Sequence, residues 1–171
     1  MSHSHSPSLD PATRDQLIQA AFAGRDRAYS PHSHFRVGAA LLTTSGEVIT
    51  GCSVDCAAYS ETICAERVAI VKAVSEGIRS FVALAVVSDA LHAISPCGPC
   101  RQVLREFCPL NLCVFLAPAD WTARRERGDA LTGVKETTLV ELFPMSYDEG
   151  FDLPRWSKAQ KDERASAKNA G

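Results

Sequence analysis

A chain of 171 residues with 46% apolar content is long enough to bury one sizeable core and short for two. Its 18 Lys and Arg stand against 20 Asp and Glu, a net charge of −2 that lacks the basic surplus needed to hold a polynucleotide by its phosphates. No run approaches the roughly 18 apolar residues of a membrane span, and seven cysteines, an odd number clustered at short spacings, fit no disulfide framework and point to a reducing compartment, the cytoplasm by default.

Residues 1–9 alternate His and Ser without a basic or apolar stretch, so they read as a disordered tail and not as a secretory signal. Asp10-Pro11 supplies a cap followed by Pro at the first helical position. Leu17, Ile18, Ala21, Phe22 and Ala28 then recur at helical spacing, which predicts a first helix up to Tyr29. Val37 to Thr43, a Ser45-Gly46 turn and Glu47 to Cys52 predict a β-hairpin, and its small residues at 38 to 40 imply close approach of a helix or ligand. Cys64 opens a second helical run that stops at Gly77. The uninterrupted apolar stretch Phe81 to Val87 predicts a central strand buried on both faces.

Cys97 follows Pro96 and leads into a third helical run, Cys100-Val103-Leu104-Phe107. Leu112 to Leu116 predicts a further strand, and a shorter one is expected near Leu131 to Lys135. Between them, residues 118–130 carry Arg124, Arg125, Glu126, Arg127 and Asp129 with few apolar anchors and read as a solvated loop. A catalytic domain over 10–153 is expected, followed by a polar tail at 154–171. The alternation predicts a three-layer α/β/α sandwich about a mixed sheet.

Chemistry concentrates at Cys64-Ala65-Glu66-Arg67 and Pro96-Cys97-Gly98-Pro99-Cys100. A lone Cys-x-x-Cys is a weak signal, equally a structural zinc half-site or a redox pair. Joined to Cys64 and Glu66 it offers three thiols and one carboxylate, the complement of a catalytic zinc: three ligands, one position for water and a base. Both thiol groups fall at helix starts, where unpaired N–H groups favour thiolate. Three thiolates overcompensate the metal's charge, and Arg67 and Arg101 are the side chains available to return positive charge. The competing reading is a structural four-thiolate zinc that takes Cys52, Cys56, Cys108 or Cys113 as fourth ligand and leaves Glu66 idle.

Beyond these motifs, the chain resembles the small, homotetrameric zinc-dependent cytidine deaminases over roughly residues 10–153. The segments that carry the resemblance are 28–40, 50–55, 63–77, 94–107 and 141–147. The resemblance implies a cytidine deaminase-like fold with five strands and one Zn²⁺ per subunit held by Cys64, Cys97 and Cys100. It also implies hydrolytic deamination of cytidine and 2′-deoxycytidine through attack of zinc-activated water on C4, with Glu66 moving the protons. It assigns the Ala65 N–H and the Ser95 carbonyl to the pyrimidine edge and Phe35 to stacking on the ring. It further implies a homotetramer with shared active sites, to which Tyr59 contributes across an interface; Tyr147 stands where the family has a Phe inserted from another subunit, and either walls that site or caps the chain's own core. Charge and hydropathy, as above, leave no nucleic-acid or membrane partner expected.

One departure bears on substrate. Where the family has Asn and Glu against the ribose hydroxyls, this chain has Ser53 and Asp55, both shorter. A loosened sugar pocket discriminates less, which keeps open a deaminase of another aminopyrimidine nucleoside, such as an antibiotic of the blasticidin type. A non-catalytic, zinc-stabilised binding protein is the third reading.

Overall fold

A computed structural model describes residues 9–147 of the chain. The first helix, α1 (Pro11–Arg25), begins as its cap dictates: the Asp10 carboxylate accepts from the N–H groups of Ala12 and Thr13. It ends four residues before the expected Tyr29. There the chain turns extended, because the Tyr29 N–H donates to the Ser53 carbonyl and the Tyr29 carbonyl accepts from Asp55, a bridge that outcompetes another helical turn.

The sheet comprises β1 (Val37–Thr43), β2 (Val48–Cys52), β3 (Phe81–Ser88), β4 (Cys113–Ala117) and β5 (Lys135–Thr138), in the order β2-β1-β3-β4-β5. β3 and β4 pair in parallel and every other neighbouring pair is antiparallel, so the sheet is mixed, as expected. Strand periodicity sorts the side chains. Leu41, Leu84, Val86, Val114 and Leu116 face α2 (Ala65–Ser75) and α3 (Gly98–Phe107), whereas Ala40, Leu42, Ala85 and Phe115 face α1. Helices on both faces of one sheet make the three layers.

Two glycines set how close those layers come. A Cβ at Gly38 would stand 2.1 Å from the Ala21 carbonyl oxygen, so α1 lies directly on β1. A Cβ at Gly51 would stand 2.3 Å from the Ala65 oxygen and 2.5 Å from the Ala69 nitrogen, so the first turn of α2 rests on β2. The small residues expected to admit a helix or ligand admit helices.

Two expectations need correction. Residues 118–130 are solvated, as expected, but are not a loop: they contain α4 (Trp121–Glu126), whose Trp121 is fully buried against α1, its ring stacked on Phe22 at 5.9 Å between centroids and its Nε1 donating to the Ala130 carbonyl. One large aromatic anchors a segment whose charged side chains stay largely in solvent. The fifth strand lies at Lys135–Thr138, not 131–135, because residues 131–133 form a turn with Gly133 at φ +81° and the polar run Lys135-Glu136-Thr137-Thr138 pairs on the sheet edge. Thr138 then caps the short α5 (Leu139–Leu142) through a reciprocal pairing with Glu141. The predicted tail at 154–171 and residues 1–8 of the N-terminal tail lie outside the described residues.

Candidate metal centre and active site

β2 and β3 both run antiparallel to β1, so their C-terminal ends lie at the same edge of the sheet. The connections leaving those ends lead to α2 and α3, and this topology brings two helix N-termini together. Cys64 caps α2 and Cys97 caps α3, both with extended backbone, and Cys100 lies in the first turn of α3. The thiols expected at helix starts are at helix starts.

Cys64 Sγ lies 3.7 Å from Cys97 Sγ, which lies 3.4 Å from Cys100 Sγ, and all three sulfurs fall within 4.8 Å of one another. Tetrahedral zinc with Zn–S near 2.3 Å separates its sulfurs by about 3.8 Å, so the donor set fits one zinc ion and leaves one coordination position to solvent or substrate. Among the described residues no fourth thiol joins the group. Cys108 belongs to the core cluster beneath α2 and α3, and Cys113 to the cluster on the opposite face of the sheet, so neither completes a four-thiolate site.

The charges around the sulfurs are unequal. Hydrogen bonds from Cys100 first, then from Arg67 and Cys97, hold the Cys64 thiol well below its ordinary range, while the partnership with Cys64 together with burial pushes Cys100 up. Arg67 supplies the nearby cation, with Nη2 3.6 Å from Cys64 Sγ and 2.9 Å from the Thr62 carbonyl. Arg101 makes a different set of contacts from Arg67. Its guanidinium donates to the Pro96 carbonyl at 2.7 Å, the Leu142 carbonyl at 2.5 Å and the Ser95 hydroxyl at 2.8 Å, tying the turn before Cys97 to the end of α5.

Glu66, in the first turn of α2, is 4% exposed. Burial pushes its carboxyl up to about 7, and the negative charge on Cys64 adds to the shift. A carboxyl poised near neutrality beside a metal site can both take and return a proton.

The remaining residues singled out from the sequence surround this centre unequally. Ala65 is buried at the start of α2, and Ser95 lies exposed on the turn before Cys97. Phe35 is partly exposed, on the segment between α1 and β1. Ser53 and Asp55 are buried just past β2, with the Ser53 hydroxyl accepting from the Val37 N–H at 3.0 Å. Tyr59, on a single 3₁₀ turn, and Tyr147 both point out from the fold at 70% and 69% exposure. Tyr59 meets His32 edge-on at 6.4 Å, and the Tyr147 carbonyl accepts from Gln102. Sequence reasoning missed Ser33 and His32, whose N–H groups both donate to Asp55; separations of 22 and 23 residues carry no local signal of that pairing.

Residues 11–116 match the family model for the cytidine and deoxycytidylate deaminase zinc-binding region. A cytidine deaminase from Sporosarcina psychrophila is 45% identical over 133 residues, covering 78% of this chain and 90% of the relative. A blasticidin-S deaminase from Bacillus cereus is 30% identical over 140 residues, covering 77% of this chain and 90% of that one. The crystal structure of cytidine deaminase from Burkholderia pseudomallei superposes with a TM-score of 0.69 at 37% identity, covering 86% of this chain and all of its own. With three thiols converging at two helix starts and a buried carboxylate beside them, this chain belongs to the cytidine and deoxycytidylate deaminase zinc-binding family.

Proposed function

We propose that the chain catalyses hydrolytic deamination of cytidine and 2′-deoxycytidine to uridine and 2′-deoxyuridine, releasing ammonia. The observation that carries this reading is the buried Glu66 carboxylate standing in the same helical turn that presents Cys64 to Cys97 and Cys100. A structural zinc site has no use for such a carboxylate.

Cys64, Cys97 and Cys100 would hold the ion. Bound there, zinc would supply Lewis acidity that lowers the pKa of a water towards neutrality. Glu66 takes a proton from the attacking water and delivers it to N3 of the pyrimidine, which draws electron density from C4. As the C4–O bond forms and the C4–N bond breaks, Glu66 relays a second proton to the leaving amino group, so water enters and ammonia leaves with atoms in balance. The Ala65 N–H and the Ser95 carbonyl hold the base edge, and Phe35 stacks on the ring. Arg67 offsets surplus thiolate charge. The Arg101 hydrogen bonds to Ser95 and Pro96 support a role in shaping the turn that carries this carbonyl.

The proposal extends to the setting. A catalytic domain over 10–153 acts in pyrimidine salvage, in the cytoplasm, a compartment that suits seven free thiols. The outward Tyr59 and Tyr147 side chains support a homotetramer whose neighbours complete each site. A second reading, a deaminase for a blasticidin-type nucleoside, is favoured by Ser53 and Asp55 and by the blasticidin-S deaminase relative.

One assay separates the two. Pure, zinc-loaded protein is given cytidine, 2′-deoxycytidine, cytosine and blasticidin S while loss of the aminopyrimidine absorbance is followed. Turnover of cytidine and 2′-deoxycytidine is expected. Turnover of blasticidin S alone would transfer the assignment to the second reading, and no turnover across the set would leave only a zinc-stabilised binding protein.

A further inference from the structure

The segment between α1 and β1 carries Phe35, and no regular secondary structure holds it. Besides a backbone bond from the His34 N–H to the Ser30 carbonyl at 3.1 Å, it is fixed by side chains reaching in from other segments. Asp55 Oδ2 accepts from the N–H groups of His32 at 3.1 Å and Ser33 at 2.8 Å, and Asp55 Oδ1 accepts from the Ser33 hydroxyl at 3.2 Å. The Ser33 oxygen in turn accepts from the Phe35 N–H at 3.2 Å. Below them, the Asp55 N–H donates to the Tyr29 carbonyl at 2.8 Å, and the Ser53 hydroxyl takes the Val37 N–H where β1 begins.

Between these anchors His34 sits at φ +51°, a left-handed conformation that a non-glycine residue keeps only when its surroundings enforce it. Arg36 adds a further tie, its N–H 2.9 Å from the Asp89 carboxylate and its guanidinium paired with the same group. The turn that presents Phe35 is therefore held by acceptors belonging to other elements as well as by its own Ser30 carbonyl and Ser33 hydroxyl.

A carboxylate offers about four acceptor sites, and three of those on Asp55 are occupied by this turn. The residue is also only 8% exposed, so little of it faces a ligand. We infer that Asp55 is a positioning residue that clamps the Pro31–Phe35 turn, sets where the Phe35 ring stands, and does not read the sugar hydroxyls. Asp suits this task because the shorter side chain keeps its carboxylate over the two N–H groups, where one more methylene would carry it past them. The Ser33 and His32 donors also hold the Asp55 carboxyl below the usual carboxylate range, so the clamp is charged at neutral pH. The consequence for specificity is that base recognition depends on Asp55 indirectly, and discrimination among ribose, 2′-deoxyribose and dideoxyribose is weak.

The catalytic half of this inference rests on the deaminase reading above, and the structural half does not. The test uses full-length, zinc-loaded protein carrying Asp55→Asn or Ser33→Ala, with zinc content and circular dichroism confirming that each variant folds. Amide hydrogen exchange is followed across residues 30–37, and kcat and KM are measured for cytidine and for 2′,3′-dideoxycytidine. Hydrogen bonds to a charged acceptor are worth enough that exchange at 32 and 33 should accelerate about tenfold or more in Asp55→Asn, and by less in Ser33→Ala. KM should rise by the same factor for both nucleosides. Exchange at the wild-type rate in both variants would overturn the clamp, and a KM increase confined to cytidine would assign Asp55 to the sugar. If the wild-type protein turns over neither nucleoside, the deaminase reading fails while the exchange measurement still decides the clamp.

Discussion

Gly51→Ala isolates the contact that seats the active-site helix. The new Cβ would lie 2.3 Å from the Ala65 oxygen and 2.5 Å from the Ala69 nitrogen, the acceptor and donor of a hydrogen bond in the first turns of α2, where ordinary contact begins near 3.4 Å. Both obstacles are backbone and neither can rotate away, so α2 must retreat by roughly 1 Å. Overpacking of this kind costs about 1–3 kcal/mol, which corresponds to a fall in Tm of about 2–12 °C for a chain of this size. The retreat moves Cys64 and Glu66 relative to Cys97 and Cys100, because the backbone atoms nearest the new Cβ belong to α2 and not to α3. A misplacement of about 1 Å costs on the order of 100-fold in rate, and zinc should be held more weakly. Gly38→Ala is the control: its Cβ would meet the Ala21 oxygen at 2.1 Å, but α1 carries no ligand, so Tm should fall while zinc affinity stays. The measurements are Tm by circular dichroism, zinc by competition with a chromogenic chelator, and kcat for cytidine. Wild-type zinc affinity and kcat in Gly51→Ala would refute the claim that this contact positions the site.

Glu66→Gln should retain one zinc per chain and lose about 10²–10⁴-fold in kcat, because an amide occupies the same space and relays no proton; loss of the metal would instead make Glu66 a ligand. Trp121→Ala removes the largest fully buried side chain among the described residues and its stack on Phe22, for an expected loss of about 3–5 kcal/mol in denaturant unfolding with zinc stoichiometry unchanged, and an unaltered midpoint would show that α4 is dispensable. A hydrogen bond from Arg36 holds the Asp89 carboxyl below its usual range. A lowered folded-state pKa adds stability that is complete above the unfolded value of about 4 and disappears as pH falls through the folded value. The pair is partly exposed, so the Tm difference between wild type and Asp89→Asn should reflect less than about 1 kcal/mol at pH 7 and close on acidification below about pH 4; a gap that widens there would contradict the assignment.

Much of this molecule is legible in its residues because the relevant signals are local. The Asp10-Pro11 cap, the apolar run of β3 and the thiols at the starts of α2 and α3 each declare themselves within a few positions, and the structure places them accordingly. Errors arose where a distant partner overrode local pattern. Ala28 continues the helical spacing of α1, yet the Tyr29 pairing with Ser53 and Asp55 ends the helix at Arg25. Five charged residues between 124 and 129 suggest a loop in solvent; four of them are exposed, yet the single aromatic before them pins the segment to α1 as a short helix.

Residue type and spacing were enough to identify the donor atoms, since a metal's demand for three sulfurs and a nearby carboxylate is written in chemistry that neighbours along the chain already supply. Which sulfurs converge, which arginine meets a thiolate and which merely braces a turn, and what Asp55 holds were decided by strand order. Two strands running the same way deliver two helix starts to one edge, and there thiols separated by tens of residues come within reach of one metal ion.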